Sequence, residues 1–278
     1  MIKHINLFIG LIFYVATLQA QHASQKLNTK NVFDINKPVI FKDYFKNDLS
    51  KWKLSIDAKY DKNERPTSSD RVRIETAPET NNMKSVRFEV TGAPKTFRAE
   101  LALPAEEGWQ ERWYAEKIYL NNLPTDKDGY IVMQWHAQMG DNRVNRDFPN
   151  LAIKVSENKW QIAQAFGSPS NIQRRVTNPP GLITAKQWQQ FVVHVKWSDD
   201  KDGLIQVWIN GQLVLNQNGP NLYSGLAKRS PYFKTGIYRP SRKQGTEQEP
   251  PVVVYAAKIK IGSSKATYDV MTEKSSGR

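Results

Sequence analysis

The sequence predicts an all-β fold, a two-sheet sandwich of the jelly-roll type, on three observations. Short segments alternate apolar and polar residues at period two along most of the chain. Turn signals separate them at short intervals, and no stretch repeats apolar residues at helical spacing for long. A chain of 278 residues can also bury a full core within one large β domain.

Taken in order, Met1-Ile2-Lys3-His4 is a short basic start, Ile5 to Leu18 is apolar, and Gln19-Ala20-Gln21 offers a small residue for cleavage. This reads as a secretory signal peptide over residues 1–20, so a mature chain in the periplasm or outside the cell is expected. No later stretch is long and apolar enough to span a membrane. Residues 21–40 are polar and poorly patterned, and a linker is expected there. The domain is expected over 41–265, with a peripheral polar tail over 266–278.

Within the domain, Asp43 to Leu54 carries Tyr44, Phe45, Leu49, Trp52 and Leu54, an edge segment packing aromatics onto the sandwich. Residues 57–70 form a polar loop, followed by strands at Arg71–Glu75 and Ser85–Thr91 around a turn from Pro78 to Asn82. Phe97 to Leu101 alternates, as do Trp113 to Leu120 and Ile131 to His136. Residues 138–149 make a long loop holding Arg143 and Arg146. Leu151–Ser156 and Trp160–Phe166 read as a hairpin over Glu157-Asn158-Lys159. Trp188–Trp197 and Leu204–Ile209 follow, and Asn210-Gly211 is the strongest hairpin signal in the chain, leading into Gln212–Leu215. The strand Tyr232–Arg239 comes next. In the last strand, Val252 to Ile261, the residues Val253, Tyr255, Ala257, Ile259 and Ile261 are expected inside, with Lys258 and Lys260 outside.

The chain has no cysteine, which excludes disulfides, thiol catalysis and cysteine metal sites. A net charge of +13 implies an anionic partner. Nucleic acid is disfavoured, because Lys and Arg are spread out and no recognition motif appears. An acidic polysaccharide fits better. Asp199, Asp200 and Asp202 before Gly203 lack the spacing and distal glutamate of a calcium loop, so a hairpin turn is expected. His194 shares a strand face with Lys196, has no motif around it and reads as structural. Trp109 and Trp113 are open to either packing or sugar stacking.

Three of the strands share one design. Phe233, Thr235 and Ile237 should face a core, leaving Lys234 and Tyr238 on the other face with Gly236 between them. Ile131, Met133 and Trp135 alternate with Gln134 and His136, and Phe97, Ala99 and Leu101 with Arg98 and Glu100. Together they predict one polar, cationic groove. Such a set suits cleavage of a uronate polymer without water. The C5 proton beside a carboxylate is barely acidic, so the carboxylate must be neutralised, a base must reach C5 and an acid must reach the leaving O4. Arg, Gln and His suit the neutraliser, His, Lys or Tyr the base, and Tyr the acid.

Arg98-Ala99-Glu100-Leu101, Gln134-Trp135-His136 and Tyr232-Phe233-Lys234-Thr235-Gly236-Ile237-Tyr238-Arg239 resemble the three signature strands of the jelly-roll polysaccharide lyases. That group includes alginate lyases, heparin lyase I and glucuronan lyases, and the wording here is similar to the heparin lyase I and glucuronan lyase branch. The resemblance implies a concanavalin-like two-sheet sandwich and β-elimination at a 4-linked uronate. It implies Tyr238 as catalytic acid and an option as base, His136 as base or neutraliser, and Gln134 and Arg98 on the carboxylate. Lys234 would bind or activate. Beside this set, Arg239 and the loop residues Arg143 and Arg146 are expected to bind substrate, and Glu100 to serve the substrate site by orienting Arg98. Arg239-Pro240 stands where alginate lyases often have glutamine, which favours glucuronan or ulvan-type glucuronate over alginate. The chain is shorter than the bacterial heparin enzyme, which disfavours heparin or heparan sulfate. No cofactor is needed for this chemistry. The resemblance allows a structural calcium without assigning ligands, and a monomer is expected. The rivals are a sandwich-fold glycoside hydrolase, which needs two opposed carboxylates, and a non-catalytic carbohydrate-binding module.

Overall fold

The computed structural model describes residues 32–57, 70–124, 128–137, 148–168, 170–224 and 230–273. The expected signal peptide, Arg143 and Arg146 lie outside them. Two antiparallel sheets face each other. The front sheet runs β10-β9-β8-β7-β14-β5-β2, and the back sheet runs β13-β12-β11-β6-β15-β4-β3, with β1 paired to β15. The front strands are β2 (Lys53–Ile56), β5 (Arg98–Ala102), β7 (Tyr130–His136), β8 (Leu151–Ser156), β9 (Lys159–Ser168), β10 (Asn171–Thr177) and β14 (Tyr232–Tyr238). The back strands are β1 (Val39–Asp43), β3 (Val72–Thr76), β4 (Lys84–Val90), β6 (Glu111–Leu120), β11 (Trp188–Lys196), β12 (Leu204–Ile209), β13 (Gln212–Asn218) and β15 (Val252–Gly262).

The alternation read from the sequence builds the core between these sheets. Phe233, Thr235 and Ile237 of β14, Ala99 and Leu101 of β5, and Met133 and Trp135 of β7 are all buried. Tyr114 of β6 reaches across to Trp135 (ring centroids 5.2 Å apart) and Phe233 (5.3 Å), so an aromatic cluster ties β7 and β14 to the back sheet. The hairpin signals hold: Glu157 and Asn158 lie at φ 50° and 57°, and Asn210 and Gly211 at φ 49° and 89°, as primed turns require.

Bulges change which face some residues take. In β15 the pairing shifts between Ala257 and Lys260, with Lys258 at φ 53°. Val252, Val254 and Ala256 therefore join the core, instead of the expected Val253, Tyr255 and Ala257, while Ile259 and Ile261 remain inside. In β7 a shift between Ile131 and Met133 brings Val132 into the core alongside Met133, and Ile131 pairs with Tyr238.

Three other expectations are corrected. Phe33 and Ile40, placed in a linker by the sequence reading, belong to the core, and β1 starts at Val39. The supposed peripheral tail holds a short helix, α1 (Tyr268–Thr272), whose Met271 is buried and whose carbonyls at Val270 and Met271 accept from Lys260 Nζ. The strand β10 was not expected, since Asn-Ile-Gln-Arg-Arg-Val-Thr shows little apolar alternation at an exposed edge. Among the described residues no helix is long and apolar enough to cross a membrane.

Candidate active site

The three motif strands are neighbours at the centre of the front sheet, in the order β7-β14-β5. Register sets their polar residues side by side. Lys234 pairs with Gln134 and Tyr232 with His136 across β14 and β7, while Gly236 pairs with Glu100 and Tyr238 with Arg98 across β14 and β5. Gly236 sits at the β14 bulge at φ +133°, and a Cβ there would meet Ala99 O at 2.3 Å, so the turn of this strand needs glycine.

Glu100 organises the charges. Its carboxylate, 2% exposed, accepts from Lys234 Nζ through Oε2 and from Gln134 Nε2 through Oε1. Arg98 Nε lies 3.2 Å from Oε2 as a charge contact, without hydrogen-bond alignment. Two cations thus share one carboxylate, and the cluster carries net positive charge. Lys234 is not the solvent-reaching cation that the alternation suggested, for it is only 5% exposed. Burial pulls its ammonium pKa down, Glu100 opposes this, and Arg98 adds to it.

Arg98 also covers Tyr238, with its guanidinium carbon 4.4 Å from the ring centroid. Tyr238 is half-buried, with Phe97 packed at 6.2 Å. His136, half-buried too, directs Nδ1 to Ala137 O at 2.9 Å and lies 6.0 Å from the Tyr232 ring. Since Tyr238 pairs with Ile131 and Tyr232 with His136, the phenol and the imidazole stand at opposite ends of the cluster. Roughly 17 Å of strand separates them, at about 3.3 Å per residue. Gln134 and Lys234 lie between.

Not every expected site residue joins this set. Arg239 is 2% exposed and donates to Glu249 Oε2 at 2.5 Å, so its guanidinium braces the segment after β14. Sequence reasoning passed over Glu116. This back-sheet carboxyl points into the core beneath β14 and accepts from Thr235 Oγ1 at 2.5 Å, while its other oxygen has no partner. Burial pushes its pKa up to about 8, against the Thr235 hydrogen bond. It also passed over Asp57, read as the start of a polar loop, and Arg71, read as the first residue of a strand, and both are engaged with Arg98.

Trp113 stacks on His194 (4.0 Å) and belongs to a small cluster on the outer side of the back sheet, away from the site. His194 is held by Gln206 and Glu111, as a structural histidine should be. Asp202 is tied to Ser198 and Lys196, consistent with a turn. Among the described residues no cluster of acidic or histidine side chains could hold a metal ion. Glu100 is the one carboxylate on β5, β7 and β14, and its oxygens are already engaged, so a pair of opposed carboxylates for hydrolysis is absent from these strands.

A family model described as polysaccharide lyase matches residues 46–260, most of the chain and all three motif strands. A sequence search of the curated proteins finds no match. Among solved structures, the chain is similar to an endo-β-1,4-glucuronan lyase from the fungus Trichoderma reesei, with TM-score 0.59 and 19% identity over 74% of this chain and 91% of that one. It is also similar to alginate lyase A1-II′, a member of polysaccharide lyase family 7, with TM-score 0.54 and 17% identity over 78% and 96%. A third likeness is to the cellulose-induced protein Cip1, with TM-score 0.51 and 15% identity over 80% and 97%. These likenesses show a shared jelly-roll fold.

Proposed function

This chain belongs to the polysaccharide lyase family, and from that premise we propose that it is an exported lyase cleaving a 4-linked glucuronate polymer of the glucuronan or ulvan type. The observation that carries this reading is the outer face of β14 and its two neighbours: a phenol under a guanidinium, an amide next along, an imidazole at the far end, and a net positive charge. A polyuronate laid along these strands meets Tyr238 at one unit and His136 at a neighbouring one.

In this reading Gln134 and Arg98, which meet at Glu100 beside Tyr238, neutralise the uronate carboxylate, and His136 meets a neighbouring sugar unit. Gln134 gives one amide N–H to Glu100 and keeps the second for substrate. Glu100 holds Lys234 and the amide in place. Tyr238 removes the C5 proton and returns it to O4. The C5–H and C4–O4 bonds break, the C4=C5 bond and an O4–H bond form, and no water is consumed. In 4-linked glucuronate H5 and O4 lie on one side, so a single phenol can serve both transfers. Arg239-Pro240 after Tyr238, in place of the alginate-lyase glutamine, supports glucuronate over alginate.

The test is ultraviolet absorbance of unsaturated uronate, with glucuronan, ulvan, heparan sulfate and alginate offered separately. Absorbance rising on glucuronan or ulvan and lost in Tyr238→Phe is expected. New reducing ends without absorbance would indicate hydrolysis, and retained binding with neither signal would indicate a binding module.

A further inference from the structure

Resting on the lyase reading of this site, we propose that Asp57 and Arg71 are positioning residues, a clamp that aims Arg98 at Tyr238 and the substrate carboxylate. The backbone ladder between β2 and β5 ends at Ile56 and Ala99. Beyond that point the Asp57 side chain continues it. Asp57 Oδ1 accepts from Phe97 N at 2.7 Å and from Arg98 N at 2.8 Å, and Asp57 N donates to Arg98 O at 3.3 Å. One carboxylate oxygen thus satisfies two successive amides of a strand end, which fixes the direction in which Arg98 leaves the sheet.

Arg71 completes the clamp from the back sheet, one residue before β3. It pairs with Asp57 through Nη1, donates from Nη2 to Arg98 O at 2.7 Å, and from Nε to Glu89 O at 3.0 Å. The guanidinium therefore bridges the two sheets at the end where β5 begins. Both the amide and the carbonyl of Arg98 are held by this pair.

The Arg98 side chain itself is held more loosely. Its Nε finds no hydrogen-bond acceptor, and its guanidinium lies over the Tyr238 ring at 4.4 Å and the Phe97 ring at 5.6 Å, with a charge contact to Glu100 at 3.2 Å. None of these contacts is strongly directional. The aim of the guanidinium is thus set by its backbone, and the backbone is set by Asp57 and Arg71. A carboxylate-neutralising cation must be aligned when charge develops, and misplacement by about 1 Å can cost on the order of a hundredfold in rate.

The experiment measures kcat and KM on glucuronan, with thermal unfolding, for the native chain, Asp57→Ala, Asp57→Asn and Arg71→Met, each also in an Arg98→Ala background. We expect Asp57→Ala and Arg71→Met to lower kcat by about tenfold to a hundredfold with KM little changed. Asp57→Asn, which keeps an acceptor for both amides, should recover most of the loss. In the Arg98→Ala background the clamp substitutions should cost almost nothing more, because the group they position is gone. An equal loss in both backgrounds would make the clamp merely structural and overturn the proposal, as would native kcat in folded Asp57→Ala. If Asp57→Ala does not fold, Asp57→Asn and Arg71→Met decide by the same comparison. A native chain silent on every polymer would instead overturn the lyase reading, and the clamp's role with it.

Discussion

At Glu100 a buried carboxylate faces Lys234, the Gln134 amide and the Arg98 guanidinium, and each partner removed leaves a different debt. Lys234→Met strands a carboxylate that is nearly inaccessible to water. It should destabilise the fold by about 3–5 kcal/mol, read by urea unfolding. Glu100→Gln removes the anion and leaves Lys234 and Arg98 repelling each other, and should lower both stability and turnover. Tyr238→Phe differs in kind. It keeps the ring under Arg98 and deletes only the oxygen, so unfolding should be nearly unchanged while elimination falls by about a hundredfold or more. Binding of a glucuronan oligosaccharide, measured by titration calorimetry, should survive. His136→Gln should retain measurable turnover, because the imidazole stands at the far end of the cluster from the Tyr238 phenol and does not take the proton.

The strand β14 carries both the site and its support, because alternate residues serve opposite faces. Lys234 and Tyr238 face the site while Phe233, Thr235 and Ile237 face the core. That arrangement was legible in Phe-Lys-Thr-Gly-Ile-Tyr as period-two patterning. The bulge at Gly236 was not, since it depends on the approach of Ala99 O from β5. Gly236→Ala should destabilise the chain by about 1–3 kcal/mol through the positive φ and that contact, and reduce turnover by misdirecting Tyr238. Thermal unfolding together with residual elimination checks both effects. Strand β15 gives the same lesson from the other side. Its apolar residues occur on both parities, so the break at Lys258, which swaps the inward set, could not be placed by alternation alone.

At the scale of the whole molecule, the two sheets bury the Glu116 carboxyl without a counter-charge. Glu116 has a native pKa pushed up to about 8 by burial, above its ordinary value of 4.5. Between those values the native state keeps a proton that the unfolded chain releases. Stability is therefore greatest below about pH 4.5 as far as this group is concerned, declines by about 1.4 kcal/mol per pH unit as pH rises, and levels off beyond about 8. Glu116→Gln should flatten that slope in urea unfolding measured from pH 5 to 8. The net charge of +13 acts at the same scale. Raising ionic strength through about 0.1 M, where the Debye length is near 10 Å, should raise KM for a polyanion more than it changes kcat. The sequence by itself determined the all-β class, most strand positions and the three strands that carry Arg98, Gln134, His136, Lys234 and Tyr238, because each of these is written in short-range alternation and local motif. The tertiary structure alone decided that Lys234 is buried against Glu100, that Arg239 turns to Glu249, that Glu116 lies beneath Thr235 and that Asp57 and Arg71 grip Arg98. Those contacts join residues far apart in the chain, and their energies depend on how much water the facing sheets exclude.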